Sequence, residues 1–161
     1  MLYLSGGGDE NDSVKLDQVF AHSYKGKRLL YLPIALSGIA STYRECHAWF
    51  LSVFEPLGIE HVVMWDTLNH TLSNELKIFD AVYIGGGNTY TLLNELRKTG
   101  FDSALKDFVA AGGSIYGGSA GAIVLGYDVG TCSMMDSNDV GVDDTTGLGL
   151  VGHYAIWCHY S

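Results

Sequence analysis

The fold is decided by the stretch S-I-Y-G-G-S-A-G-A-I-V-L at residues 114–125. A short apolar run leads into a Gly-x-Ser-x-Gly turn, and a second apolar segment of small residues follows it. This pattern predicts a buried strand that passes directly into a helix, with Ser119 on the sharp turn between them. Glycines are needed there because side chains would collide with neighbouring backbone or require an unfavourable φ. Ser119 is therefore a candidate nucleophile.

The pentapeptide alone is weak evidence, because 21 of the 161 residues are glycine. A plain tight turn is the competing interpretation, since glycine and serine are common turn residues. The strand before the turn and the helix after it favour the nucleophile.

Apolar runs alternate with amphipathic segments along the whole chain. This alternation predicts a single α/β domain with a mostly parallel sheet and helices on both faces. The predicted strands are residues 2–4, 29–34, 61–65, 81–84 and 114–116. The predicted helices are residues 14–24, 42–57, a segment that begins after Asn88 or Thr89, and residues 101–111. Apolar residues of the second helix recur at helical spacing: Cys46, Trp49, Phe50, Val53, Phe54 and Leu57. The polar stretch 133–149 is predicted to be a long loop.

Composition excludes several classes of function. The net charge of −9 argues against nucleic acid, which requires clustered Lys and Arg. No stretch approaches the roughly 18 uninterrupted apolar residues of a membrane span. Three widely spaced cysteines and the lack of a secretory signal predict a cytoplasmic protein. No nucleotide-binding glycine motif or metal-ligand spacing occurs, so we expect neither cofactor nor metal.

Three glycine turns are predicted at the carboxyl ends of strands, where parallel sheets place their sites. They are Gly6–Gly8, Gly85–Asn88 and the turn at Ser119. Backbone N–H groups of the second turn, with that of Ala120, form the arrangement that an oxyanion hole requires. The alternative for the second turn is a helix entry with Asn88 as the N-cap.

Two linked motifs resemble peptidase E, the α-aspartyl dipeptidase, and its relative cyanophycinase. They are Ile84-Gly85-Gly86-Gly87-Asn88-Thr89-Tyr90 with Leu92-Leu93, and Tyr116-Gly117-Gly118-Ser119-Ala120-Gly121-Ala122. The interval between Asn88 and Ser119 is similar to that of the family. The resemblance covers most of the chain and implies a three-layer sandwich, class I glutamine amidotransferase-like.

The resemblance also implies site residues. Ser119 is the nucleophile, and the N–H groups of Gly87 and Ala120 hold the oxyanion, with Asn88 beside them. The family's histidine follows a strand in an aromatic context, which Ile156-Trp157-Cys158-His159-Tyr160 resembles. His159 is thus the candidate base, and His153 is the reserve candidate.

The third catalytic residue is where the chain departs from the family pattern. The family's carboxylate is generally a Glu beyond the histidine, and this chain stops at Ser161. We therefore expect a single domain over residues 1–161 that lacks the family's C-terminal segment. Asp139 resembles an acidic residue near the family's active site and could orient His159. Otherwise Asp136, Asp139, Asp143 and Asp144 form a solvated acidic loop.

The resemblance implies a serine peptidase that cleaves dipeptides with an N-terminal Asp. A cyanophycinase-like hydrolase and a truncated, non-catalytic binding or oligomerising relative remain alternatives. An unfinished sheet edge predicts self-association, such as a homodimer. Arg44 and Arg97 are the candidates for recognising a substrate carboxylate, although a helix-surface position accounts for both.

Overall fold

The computed structural model describes residues 1–8, 10–37, 40–69 and 74–159. Strands and α-helices alternate within these ranges. The strands are β1 (Leu2–Ser5), β2 (Arg28–Leu32), β3 (His61–Met64), β4 (Ala81–Ile84) and β5 (Ser114–Gly118). The α-helices are α1 (Glu10–Tyr24), α2 (Ala40–Phe54), α3 (Thr89–Thr99), α4 (Phe101–Ala110) and α5 (Ala120–Leu125). Single 3-10 turns lie at Ile34–Leu36, Glu55–Leu57, Leu76–Ile78 and Gly130–Cys132.

The strands form one parallel sheet in the order β1-β5-β4-β2-β3. Parallel strands have their carboxyl ends at the same edge of the sheet. Because β5 lies between β1 and β4, the three turns that follow these strands are neighbours in space. The topology alone therefore brings Gly6–Gly8, Gly85–Asn88 and Ser119 together.

The two faces of the sheet are packed with different side chains. One face carries tyrosines that lie in register across four strands and pack against α1 and α2: Tyr3, Tyr116, Tyr83 and Tyr31. The rings of Tyr83 and Tyr116 stack with centroids 4.5 Å apart. The other face is aliphatic and packs against α3, α4 and α5. Helices thus cover both faces, and the predicted three-layer α/β sandwich is confirmed.

The second helix ends earlier than its apolar pattern predicts. It stops at Phe54 and gives way to a 3-10 turn that contains Pro56. Proline has no N–H for an intrahelical hydrogen bond and its ring clashes with the preceding turn. Trp49, which the pattern placed on the buried stripe, is 38% exposed, whereas Phe50 and Phe54 are fully buried. The pattern is right about the central apolar pair and wrong about Trp49.

The loop at residues 133–149 is fastened to helix α3. The Asp136 carboxylate accepts a hydrogen bond from the N–H of Thr89 at 2.8 Å. Arg97 donates to the carbonyls of Asp144 and Thr146 at 2.6 and 2.7 Å. The segment is irregular, as predicted, but two of its acidic residues are used to attach it to the domain.

Candidate active site

Ser119 occupies a strained backbone conformation between β5 and α5. Its φ and ψ are 50° and −112°, outside the regions that non-glycine residues ordinarily adopt. Its N–H donates to the carbonyl of Ser5 at 3.0 Å, and its carbonyl accepts from Ala122 and Ile123 at 2.8 and 2.9 Å. Strain of this kind persists only where surrounding contacts over-determine the conformation. Three backbone hydrogen bonds do so here, and the Ser119 side chain remains partly exposed.

The glycines of the turn are required by close backbone packing. A methyl group on Gly117 would lie 2.5 Å from the carbonyl oxygen of Gly121. A methyl group on Gly121 would overlap the carbonyl oxygen of Ile84 in the adjacent strand. Helix α5 therefore starts in direct contact with β4 and β5, which explains the small residues on both sides of Ser119.

His159 lies within hydrogen-bond distance of Ser119. The Oγ atom of Ser119 and the Nε2 atom of His159 are 2.7 Å apart. If the neutral ring accepts through Nε2, its proton is on Nδ1. The structure brings His159, and not the reserve candidate His153, to the serine. The ring of His153 instead packs against Tyr127 at a centroid distance of 5.6 Å.

Cys158 anchors the segment that carries His159. Its side chain is fully buried, and Sγ lies 3.5 Å from the carbonyl oxygen of Ser119 and 3.9 Å from that of Ser5. Burial raises the pKa of the Cys158 thiol to about 11. The thiol thus stays protonated at neutral pH and serves as packing, with a weak donor, behind the serine. Tyr160, the last residue of the predicted aromatic context, lies outside the described residues.

The turn after β4 lies against Ser119, as the sequence predicts. A methyl group on Gly86 would be 3.2 Å from Cβ of Ser119. Gly87 has φ of 138°, and a methyl group on it would lie 2.6 Å from the carbonyl oxygen of Ala35. Among the described residues, the N–H of Gly87 has no hydrogen-bond acceptor. Ala120 is the first residue of α5, a position whose N–H has no intrahelical acceptor.

Asn88 begins helix α3 as its N-cap, the structural alternative to a role in the oxyanion hole. It is the N-cap of α3, where its Oδ1 accepts from the N–H of Thr91 at 2.9 Å. Its Nδ2 donates to the carbonyl of Ser137 at 2.8 Å, and its N–H donates to Ala35 at 3.0 Å. The side chain thus ties α3 to the loop at residues 133–149. Direct contact between Asn88 and a substrate stays a prediction.

The structure does not bring Asp139 to His159. The Asp139 carboxylate is exposed and accepts from the hydroxyl of Ser137 at 2.7 Å. Among the described side chains, no carboxylate hydrogen-bonds Nδ1 of His159. The orienting role of Asp139 therefore finds no support in this geometry, where its carboxylate is bonded within its own loop, and stays a prediction.

Of the two candidate arginines, Arg97 is engaged in contacts that attach the loop at residues 133–149 to α3. Besides its two carbonyl contacts, it forms an ion pair with Asp144 at 3.2 Å. Arg44 lies exposed on α2 and remains a candidate for binding a substrate carboxylate.

In the described part of the chain, no group of three or more His, Cys, Asp or Glu side chains is placed to hold a metal ion. Within the same ranges, no helix has the length and apolar character needed to cross a bilayer.

Fold and site together define an α/β protein with a serine–histidine pair at the carboxyl edge of a parallel sheet. The model of peptidase family S51 matches residues 1–161, so the chain belongs to peptidase family S51. The resemblance to peptidase E found in the sequence is confirmed.

Curated relatives agree with this assignment. An uncharacterized peptidase of Listeria innocua is 33% identical over 78% of this chain and 60% of its own length. An uncharacterized peptidase of Listeria monocytogenes is 31% identical over 93% of this chain and 74% of its own length. Peptidase E of Haemophilus influenzae is 30% identical over 76% of this chain and 52% of its own length. The chain thus spans between half and three quarters of these relatives.

Solved structures share the fold. A candidate peptidase E protein of Listeria monocytogenes EGD-e superposes with a TM-score of 0.77 at 30% identity, covering 94% of this chain and 75% of that one. A peptidase from an acI-B1 actinobacterium gives a TM-score of 0.74 at 20% identity over 98% of this chain and 67% of that one. The latter likeness concerns the fold alone.

Proposed function

We propose that the protein is a serine peptidase with Ser119 as nucleophile and His159 as general base. The observation that carries the proposal is the 2.7 Å separation between Ser119 Oγ and His159 Nε2. A serine hydroxyl is a weak nucleophile until a neighbouring base removes its proton, and this distance is within the reach that proton transfer requires. Membership of a peptidase family and relatives named peptidase E support the reaction class.

The first half of the reaction is acylation of Ser119. Its Oγ attacks the scissile carbonyl carbon while Nε2 of His159 takes the hydroxyl proton. The N–H groups of Gly87 and Ala120 stabilise the tetrahedral oxyanion, in keeping with the contact of the neighbouring Gly86 with Ser119 and the position of Ala120 directly after it. His159 then gives the proton to the leaving amine, the C–N bond breaks, and an acyl-enzyme remains.

The second half releases the acyl group. A water molecule attacks the ester carbonyl with His159 again accepting a proton, and the proton returns to Ser119 Oγ as the ester bond breaks. No metal or redox partner enters the balance. The strained backbone of Ser119 serves this step too, because it keeps the serine at the mouth of the site, accessible to water.

The proposed substrates are dipeptides with an N-terminal Asp. The net charge of −9 attracts the ammonium group of a free amino terminus but repels the aspartyl carboxylate. A local cation is needed to bind that carboxylate. Arg97 is already paired with Asp144, so Arg44 is the remaining candidate.

The test is hydrolysis of Asp-p-nitroanilide by the wild type, Ser119→Ala and the control Ser133→Ala. Ser133 is an exposed serine of the loop, so its loss should leave the rate unchanged. We expect turnover that is lost only with Ser119. Turnover that survives in Ser119→Ala would contradict the mechanism, and no turnover in any of the three would favour a non-catalytic binding protein.

A second pair of substrates separates the two enzymatic alternatives. A β-aspartyl-arginine dipeptide is the substrate expected for a cyanophycinase-like hydrolase. Preference for Asp-p-nitroanilide over this dipeptide and over Asn-p-nitroanilide supports the proposed specificity. Equal rates with Asp and Asn would show that the site does not recognise the carboxylate.

A further inference from the structure

The glycine turn after β1 lies against the Cε1 end of the imidazole ring of His159. Gly7 has φ of 86°, and its Cα faces the ring. A methyl group on Gly7 would lie 2.7 Å from Nε2 and 3.1 Å from Nδ1, and would overlap Cε1. Carbon atoms do not approach ring nitrogens this closely, so any side chain at position 7 is incompatible with the observed ring position.

The same turn also holds the backbone of His159. The N–H of His159 donates to the carbonyl of Gly6 at 3.0 Å. His159 has φ of 55°, a conformation uncommon for a residue other than glycine. The base is therefore held on the turn by its main chain and by the Cε1 end of its ring.

The turn cannot move without disturbing the serine. Strand β1 pairs with β5 up to Ser5 and Gly118, and the carbonyl of Ser5 accepts the N–H of Ser119. The end of β1 thus contacts both partners of the pair. The three atoms nearest to a methyl group at Gly7 all belong to the His159 ring, so such a group is accommodated by displacing the ring.

We propose that Gly7 is a positioning residue for the base: its bare Cα is the surface on which His159 lies with Nε2 directed at Ser119. This inference rests on the proposed function for its catalytic consequence. A displaced ring loses the 2.7 Å contact with Oγ and with it the proton transfer. Substrate binding does not use this contact, so the loss falls on kcat and not on KM.

The experiment compares Gly7→Ala with Gly112→Ala on Asp-p-nitroanilide. Gly112 has a similar φ of 98° but nothing within 4 Å of an added methyl group, so it isolates the cost of the backbone conformation. We expect Gly7→Ala to lower kcat by about 100-fold, the smaller end of what general base catalysis supplies, with KM within about threefold. Gly112→Ala should keep the wild-type kcat. A Gly7→Ala enzyme with kcat within about threefold of wild type would overturn the proposal.

A double-mutant cycle tests the contact without any substrate. The melting temperature is measured for Gly7→Ala in the wild-type and in the His159→Ala background. We expect a larger drop when the imidazole is present, because removing the ring leaves only the backbone strain. Equal drops in melting temperature in the two backgrounds would overturn the proposed contact between Gly7 and the His159 ring, even if hydrolysis is never detected. Conversely, if the wild type does not hydrolyse the substrate and the drops in melting temperature are unequal, the proposed function is refuted and the contact between Gly7 and His159 is supported.

Discussion

The two partners of the candidate catalytic pair are positioned in different ways. Ser119 owes its conformation mainly to contiguous residues, since Gly117 and Gly121 permit the turn and the first turn of α5 holds its carbonyl. His159 owes its position to contacts from the far end of the sequence, where β1 and Gly7 form its support. The conformation of the nucleophile is therefore set mainly by its sequence neighbours, whereas the position of the base is set by tertiary contacts.

The serine and the histidine are therefore sensitive to changes in different parts of the molecule. The serine turn is built mainly by contiguous residues, and its N–H is also held by the carbonyl of Ser5 at the end of β1. The base depends on a sheet edge and on a cysteine packed behind it. Perturbing the contacts that Gly6 and Gly7 make with His159, without changing Ser5, should disable proton transfer while the serine turn stays folded.

The largest expected effect is that of His159→Ala on hydrolysis. Removal of the base should lower kcat by about 10⁶-fold, the order seen when the histidine of a serine triad is removed. The measurement is steady-state hydrolysis of Asp-p-nitroanilide. His153→Ala is the matched control, because His153 packs against Tyr127 and should be dispensable. Loss of activity in His153→Ala alone would reverse the assignment of the two histidines.

Much of this architecture could be predicted, because it follows from local patterns. Alternating apolar and amphipathic segments indicated the layers, and the glycines around Ser119 indicated the sharp turn. The position of His159 came only from resemblance, because nothing local marks a histidine as a base. The support at Gly7 was missed: its glycine turn was recognised, but a sequence does not show which ring packs on it. The role of Asp139 stays a prediction, because the structure shows its carboxylate bonded to Ser137 and a sequence does not show which partner a loop carboxylate takes.

Alkaline pH should weaken the support behind the pair. The pKa of the Cys158 thiol is raised to about 11, above its ordinary value of 9.0, so the folded state retains a proton that the unfolded state loses. This stabilisation is fully present below pH 9 and is lost as the pH rises towards 11. The linked loss is about 3 kcal/mol over two pKa units. Urea unfolding at pH 8 to 10 measures the first half of this loss, about 1.4 kcal/mol.

Cys158→Ala is the control for the alkaline effect. It removes the titrating thiol, so its free energy of unfolding should fall less steeply over this range, whatever its value at neutral pH. Staying below pH 10 limits the contribution of buried tyrosines, whose pKa values burial also raises. Identical slopes for wild type and variant would show that this thiol does not couple to folding.

Asn88→Ala should affect stability by a smaller amount. Loss of the cap on α3 costs about 1 kcal/mol, and the contact with Ser137 is lost with it. The change is read as a shift of the urea midpoint. Asn88→Asp serves as comparison, since it keeps a capping oxygen while it removes the donor to Ser137. If Asn88→Ala instead raises KM without loss of stability, the predicted substrate contact is favoured over the cap.

The smallest effect is expected for Asp139→Asn. Its carboxylate is exposed and bonded to Ser137, so kcat should change by less than about twofold. A pH–rate profile of the same variant shows whether an unchanged kcat conceals a shift in the apparent pKa of the base. A drop in kcat of about tenfold or more would restore Asp139 as a partner of His159 and would require the loop to rearrange.

The most direct test of the central claim is reaction of the wild-type protein with a fluorophosphonate, followed by mass spectrometry of its peptides. Such reagents label a serine that a neighbouring base activates. We predict a single adduct on Ser119 in the wild type and none in His159→Ala at the same exposure. An unlabelled wild type, or label on Ser119 that persists without His159, would contradict the claim that the two residues act as one nucleophilic unit.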